Sequence, residues 1–177
     1  HVDIYLDMAD ENTFVQAVYP TEMSGSYFPD YAKASTNLGI LNAEEVWEGA
    51  PMYKRALPIP QDDSGNYYSS GSDYGKYNRT YANTLIVNDV VLVPQYAENS
   101  SSPNYQSDLD GLAAQQAAFP GYTIIGVNMR SFDESAGAIH CITKELPAEN
   151  PLRIKHYPYR SEQVYQDKFT IDAWLYC

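Results

Sequence analysis

The feature that most limits how this chain can fold is an internal repeat. Residues 1–20, HVDIYLDMADENTFVQAVYP, and residues 81–96, YANTLIVNDVVLVPQY, share one plan. Each is an apolar run, a polar turn, and a second apolar run that ends at a proline. The first turn falls around Ala9–Asn12 and the second at Asn88–Asp89, and Pro20 and Pro94 close the second runs. Short β-rich runs on either side of a small polar turn read as a hairpin.

The segments after the two hairpins also match. After Pro20 a polar stretch leads to a helix predicted around Asp30–Gly49, with Asn42 of NAEEVWEG as the cap of an inner helix start. A strand in YKRALPI, 53–59, comes next. After Pro94 a Ser/Asn loop leads to SDLDGLAAQQAAF, 107–119, whose alanines favour helix and whose Ser107 is a candidate N-cap. The strand YTIIGVNM, 122–129, comes after it. Each module is therefore strand, strand, helix, strand, and a third begins as a strand at GAIHCIT, 137–143. The expected fold class is α/β.

About two and a half such modules cannot close a circular array, because sheet edges stay open and buried faces stay uncovered. The chain reads as one part of a larger domain whose missing part precedes His1. That the first residue is His and not Met fits an upstream segment removed or not included. The loop QDDSGNYYSSGSDYGKYNRTY, 61–81, is too long for an ordinary connection. It is either a surface insertion or a flap beside a site that starts at residue 83. The tail ends in the alternating KFTIDAWLYC, a strand of something beyond the repeats. The expected division is 1–156 for the repeat domain and 157–177 for the start of a following β segment.

Composition narrows the partners. A formal net charge of −12 over 177 residues argues against nucleic acid, which needs a basic footprint, and against anionic membranes. It favours cationic ligands weakly. The two cysteines, Cys141 and Cys177, do not make a disulfide scaffold. No apolar run approaches the ~20 residues of a spanning helix. The 17 tyrosines, with Asn, Ser and Asp in the loops, give the look of a secreted surface. NRT at Asn78 and NSS at Asn99 fit the glycosylation pattern. No CxxC, HExxH or Gly-rich phosphate loop occurs, so neither a metal nor another cofactor is expected.

In register, Asp3 and Asn83 fall in the first strands of their modules and Cys141 in the first strand of the third. Equivalent strands of radially repeated modules converge on the centre, so His1, Asp3, Asn83 and Cys141 can meet there. A nucleophile, a base and polar orienters are what covalent catalysis by cysteine requires. Each has a plainer reading. Cys141 is a structural apolar residue or a nucleophile; His1 is a terminal residue or a base; Asp3 is an exposed strand residue or a ligand holder; Asn83 satisfies backbone at a strand start or joins the site. His140, beside Cys141 in a strand, would face the opposite way and so would not serve as its base. His156 has no partner in sequence and reads as non-catalytic.

HVDIY, ANTLIVNDVVLVPQY, FPGYTIIGVNMRSFDESAGAIHCIT and LPAENPLRI, in this order, resemble the bacterial peptidylarginine deiminase and agmatine deiminase family. These are guanidine-modifying enzymes of the pentein fold, a five-bladed α/β propeller of ββαβ units. The resemblance implies Cys141 as nucleophile, His1 as general acid/base, Asp3 as the carboxylate that holds the guanidinium, and Asn83 as the asparagine of the third site position. The family's second substrate-binding aspartate and its aromatic contact come from the first part of the propeller. Without them residues 1–177 alone are expected to be inactive. Ser135, Ala136 and Ala138 stand where the family is richer in glycine, which bears on the loop before the cysteine.

The function implied by the resemblance is hydrolysis of peptidyl or free arginine to citrulline and ammonia through a Cys thiouronium intermediate. In that subgroup an immunoglobulin-like domain comes next, and the enzyme is secreted or at the cell surface. The alternatives are a cytoplasmic agmatine deiminase forming N-carbamoylputrescine, and a non-catalytic pentein-like binding fragment. The implied partners are an arginine-containing peptide or protein, or a small guanidino compound, and the missing half of the propeller.

Overall fold

Both expected hairpins form in the computed structural model, which describes residues 2–10, 12–23, 29–47, 50–67, 79–135, 137–144, 153–156 and 173–176. Strand β1 (Leu6–Met8) pairs antiparallel with β2 (Thr13–Ala17), Leu6 opposite Gln16 and Met8 opposite Phe14. Helix α1 (Pro29–Leu41) comes next, then a small antiparallel pair, β3 (Glu45–Trp47) with β4 (Ala50–Pro51). Strand β5 (Tyr53–Leu57) then runs parallel to β2, from Thr13 opposite Tyr53 to Ala17 opposite Leu57. The second module repeats this with β6 (Leu85–Val87), β7 (Val90–Gln95), helix α2 (Tyr105–Ala118) and β8 (Thr123–Asn128). Here β6 pairs antiparallel with β7, and β7 parallel with β8, from Val90 opposite Thr123 to Gln95 opposite Asn128. A hairpin needs only a tight turn, whereas a parallel neighbour needs a crossover, and the helix supplies it each time.

Local chemistry explains the elements. The second hairpin turns at Asn88, whose φ of 55° is left-handed, a conformation asparagine tolerates. Strand β2 is buried from Phe14 to Ala17 on both faces, as a strand between two neighbours and a covering helix should be. Its one polar residue in that run, Gln16, donates from Nε2 to the Ala34 carbonyl on α1.

Two boundaries differ from expectation. Helix α1 stops at Leu41, and Asn42 is succeeded by β3, not by an inner helix. The acidic, helix-favouring NAEE run yields because Glu45–Trp47 finds a ladder with Ala50–Pro51. Helix α2 starts two residues before Ser107, at Tyr105, with Asn104 in the cap position and no side-chain cap bond. Ser107 instead donates to the Asn104 carbonyl at 2.9 Å.

The two modules share one core. Helix α2 lies on β7 and β8 of its own module and on β2 and β5 of the first. Val15 and Leu57 thus pack into the same cluster as Tyr81, Val91, Val93, Phe119 and Ile139. Inside it, buried Asp108 on α2 accepts from the backbone N–H of Tyr96 (2.9 Å) and Ala97 (2.8 Å) and from the Tyr81 hydroxyl (2.7 Å). Gln115 donates to the Tyr81 carbonyl at 2.7 Å. Gly111 lets α2 approach the same ring, since a Cβ there would stand 2.7 Å from Tyr81 Cγ. Burial, then the nearby Asp108 charge, pushes the Tyr81 phenol far above its ordinary value, so it stays neutral. Arg79 lies over the Tyr96 ring at 5.3 Å and donates to the Gln61 carbonyl and to Asp63. The segment 79–84 is buried throughout.

Of the long loop 61–81, residues 61–67 are held through Asp63, which also takes Arg130 at 2.7 Å. Residues 68–78, with Asn78, lie outside the described residues. Asn99 of the other glycosylation pattern is exposed, and its Oδ1 accepts from the Ser101 amide. The chain divides into two compact units, residues 1–143 and 144–177. In the second, β9 (Arg153–His156) pairs antiparallel with β10 (Ala173–Tyr176), Tyr176 opposite Arg153. His156 ends β9, and the expected division after residue 156 falls between these paired strands. No helix among the described residues is long and apolar enough to cross a membrane.

Candidate active site

Asp3 and Asn83 occupy matching places in the two modules, though neither lies within a strand as expected. Asp3 is in a 3-10 turn, Val2–Ile4, just ahead of β1, and Asn83 is in the loop just ahead of β6. Side chains of 80–84 bond the segment 3–7. Thr80 Oγ1 donates to the Ile4 carbonyl, Asn83 Nδ2 donates to Asp3 Oδ2 at 2.8 Å, and Thr84 Oγ1 donates to Asp7 Oδ2 at 2.8 Å. Asn83 Nδ2 also donates to the Asp3 carbonyl at 3.2 Å.

The third segment departs further. Residues 137–143, expected as a strand, form a single helical turn, α3 (Ile139–Ile142). The cause is Asn83. Its Oδ1 accepts from the amides of Ala138 (2.9 Å) and Cys141 (3.3 Å), drawing them to one point as an extended strand could not. Ala138 and Ile139 are buried in the core, and Cys141 is exposed with a free thiol. Gly137 makes room: a Cβ there would lie 2.5 Å from Cys141 Cβ and 2.6 Å from Sγ.

The three segments bring a thiol, a carboxylate and an amide into one network. Asn83 Nδ2 donates to Cys141 Sγ at 3.3 Å as well as to Asp3, and Cys141 Sγ donates to Asp3 Oδ2 at 3.5 Å. Asn83 is 0% exposed, and its bond to the Ala138 amide is buried while those to Asp3 and Cys141 are partly so. A fourth group joins them. His140 Nδ1 lies 2.9 Å from Asp3 Oδ2. In a strand His140 and Cys141 would face apart, but on a helical turn neighbours differ by ~100° and both reach the same oxygen. The expectation that His140 faces away is therefore corrected. No rule of spacing signals this, because the turn is imposed by a residue far away in sequence.

Burial acts first on Asp3 and would raise its pKa. The bonds from His140, Cys141 and Asn83 outweigh it and hold the carboxyl below its ordinary value. An ionised Asp3 can only accept, so the hydrogen between it and His140 sits on Nδ1. Asp7, missed by sequence reasoning, behaves oppositely. Burial pushes it up despite the Thr84 and Met8 bonds, with the His140 charge lowering it and the Asp3 charge raising it. His1 lies outside the described residues.

Such a network can hold a planar cation against a carboxylate with a thiol beside it. A family model described as Porphyromonas-type peptidyl-arginine deiminase matches residues 1–147. A protein of Streptococcus mutans, assigned by name as an agmatine deiminase, is 37% identical over 132 residues, which are 68% of this chain and 33% of that one. A similarly named protein of Marinomonas sp. is 26% identical over 144 residues, 76% of this chain and 37% of that one. The solved structure of the agmatine deiminase of Enterococcus faecalis shares the fold, with a TM-score of 0.62 at 24% identity, over 81% of this chain and 39% of that one. The chain thus spans about a third of the length of the curated relatives it matches.

Proposed function

The chain belongs to the Porphyromonas-type peptidyl-arginine deiminase family, and we propose that it is part of a guanidine hydrolase with Cys141 as the nucleophile. The observation that carries this reading is the shared bonding of Asp3, Asn83 and Cys141, drawn together from positions 80 and 138 residues apart from Asp3. The acidic chain, at −12, adds a field that favours a cationic substrate.

In the proposed reaction the ionised Asp3 takes two N–H groups of the guanidinium and fixes its plane. The Cys141 thiolate adds to the central carbon, and the C–N bond to one nitrogen breaks as that nitrogen leaves as ammonia. A thiouronium ester of Cys141 remains. Water adds to the same carbon, the C–S bond breaks, and a neutral urea departs. A bound cation beside the thiol favours the thiolate. His1 is the proposed proton donor to ammonia and acceptor from water, a role that rests on the HVD motif. Asn83 is the proposed orienter of both thiol and carboxylate.

The names of the relatives favour agmatine as substrate, with N-carbamoylputrescine as product. The family description favours peptidyl arginine, with citrulline as product. Either reading takes the two modules as blades of a five-bladed propeller, with 1–156 in the catalytic domain and 157–177 starting a β segment.

Assay of the full-length protein tests this. Ammonia release from agmatine and from a peptide ending in arginine separates the two substrates, and residues 1–177 alone are expected to turn over neither. Cys141→Ala should abolish release while preserving the melting temperature, and mass spectrometry of the wild type should trap a thiouronium adduct on Cys141. Full activity in Cys141→Ala would sink the assignment.

A further inference from the structure

His140 has no part in the proposed bond-making and bond-breaking, yet it bonds the carboxylate on which substrate binding depends. Its Nδ1–H donates to Asp3 Oδ2 at 2.9 Å, and Asn83 Nδ2 donates to the same oxygen at 2.8 Å. The torsion that sets a carboxylate's plane is soft, so one donor leaves the plane free to swing. Cys141 Sγ also donates to this oxygen at 3.5 Å, but as the reacting thiolate it has no hydrogen to give, so His140 and Asn83, from different segments, are the two donors that then set the plane and with it the direction of Oδ1. A guanidinium is held well only when that plane lies parallel to its own N–H pair. The His140 side chain is 58% exposed. It therefore contributes little packing, and its removal leaves the core intact.

We propose that His140 is a positioning residue that acts through Asp3, orienting the carboxylate for the guanidinium and taking no proton in the reaction. This rests on the deiminase reading, since it presumes that Asp3 meets a guanidinium. The helical turn held by Asn83 makes this possible, because it brings both Cys141 and the residue before it to Asp3.

The test uses the full-length protein with agmatine and an arginine peptide, on His140→Ala, His140→Asn and His140→Gln. Asparagine can set its amide nitrogen where Nδ1 stands, whereas the glutamine amide reaches the place of Nε2. His140→Ala should raise KM about tenfold with kcat within about threefold, and its melting temperature should be unchanged. His140→Asn should restore KM and His140→Gln should not. In a Cys141→Ala background, calorimetry with the same two ligands should show the same weakening for His140→Ala. An unchanged KM and Kd would overturn the proposal alone, as would loss of kcat in both His140→Asn and His140→Gln, which is the mark of proton transfer. A wild type that neither binds nor hydrolyses either guanidine overturns it together with the deiminase reading.

Discussion

Asn83 donates to the Asp3 carboxylate at 2.8 Å across 80 residues of sequence, from a position wholly shut off from water. The same side chain accepts the Ala138 and Cys141 amides, so it serves two segments at once. Asn83→Ala removes a buried acceptor and leaves the Ala138 amide without it, a cost of about 2 kcal/mol or more. Chemical denaturation of the full-length protein should show that loss, and ammonia release should fall with it. Asn83→Asp keeps the acceptor but sets a second carboxylate against Asp3, so it should recover part of the stability and none of the activity.

Gly137→Ala tests the packing around the nucleophile. The added methyl would lie 2.6 Å from Cys141 Sγ, far inside contact distance, so the thiol must move. The expected result is a sharp drop in turnover with a destabilisation of about 1–3 kcal/mol, as for other overpacked sites. The rate of Cys141 alkylation by iodoacetamide reports the shift directly; an unchanged rate would mean that the glycine is not required.

Asp7 gives a pH signature of known sign. Burial raises its pKa in the folded chain above the ordinary 3.8. Its contribution to stability is therefore fully present below the unfolded value and is lost as pH rises through the folded one. Asp3, with a lowered pKa, contributes in the opposite sense: its stabilisation is present above 3.8 and is lost as pH falls through the folded value. Melting curves against pH should show Asp7→Asn gaining on the wild type as pH rises past about 4. A constant difference between the two would contradict the assignment.

The repeat was legible because a hairpin and its crossover are local matters. Asn88 turns the chain where the sequence places a turn, and β7 and β8 lie within the runs of apolar residues that mark them. Residues 137–143 were not legible in the same way. Their β-branched and apolar residues fit a strand, and nothing nearby opposes it. The opposing group is Asn83, 55 residues before Ala138, whose single oxygen gathers two amides. The meeting of Asp3, Asn83 and Cys141 came from the repeat register. The presence of His140 at the same carboxylate came only from the turn. Asp7 escaped notice because its partner, Thr84, lies 77 residues away and belongs to no motif.

The bonds from Thr80 to Ile4, Asn83 to Asp3 and Thr84 to Asp7 form a polar seam between the modules. Asp3 and Asn83, proposed to handle substrate, thus also form one rivet of the assembly. At that bond, turnover and cohesion depend on the same atoms. Such a site resists drift, because a change that retunes the chemistry also loosens the join, and recovery demands a matching change on the opposite module.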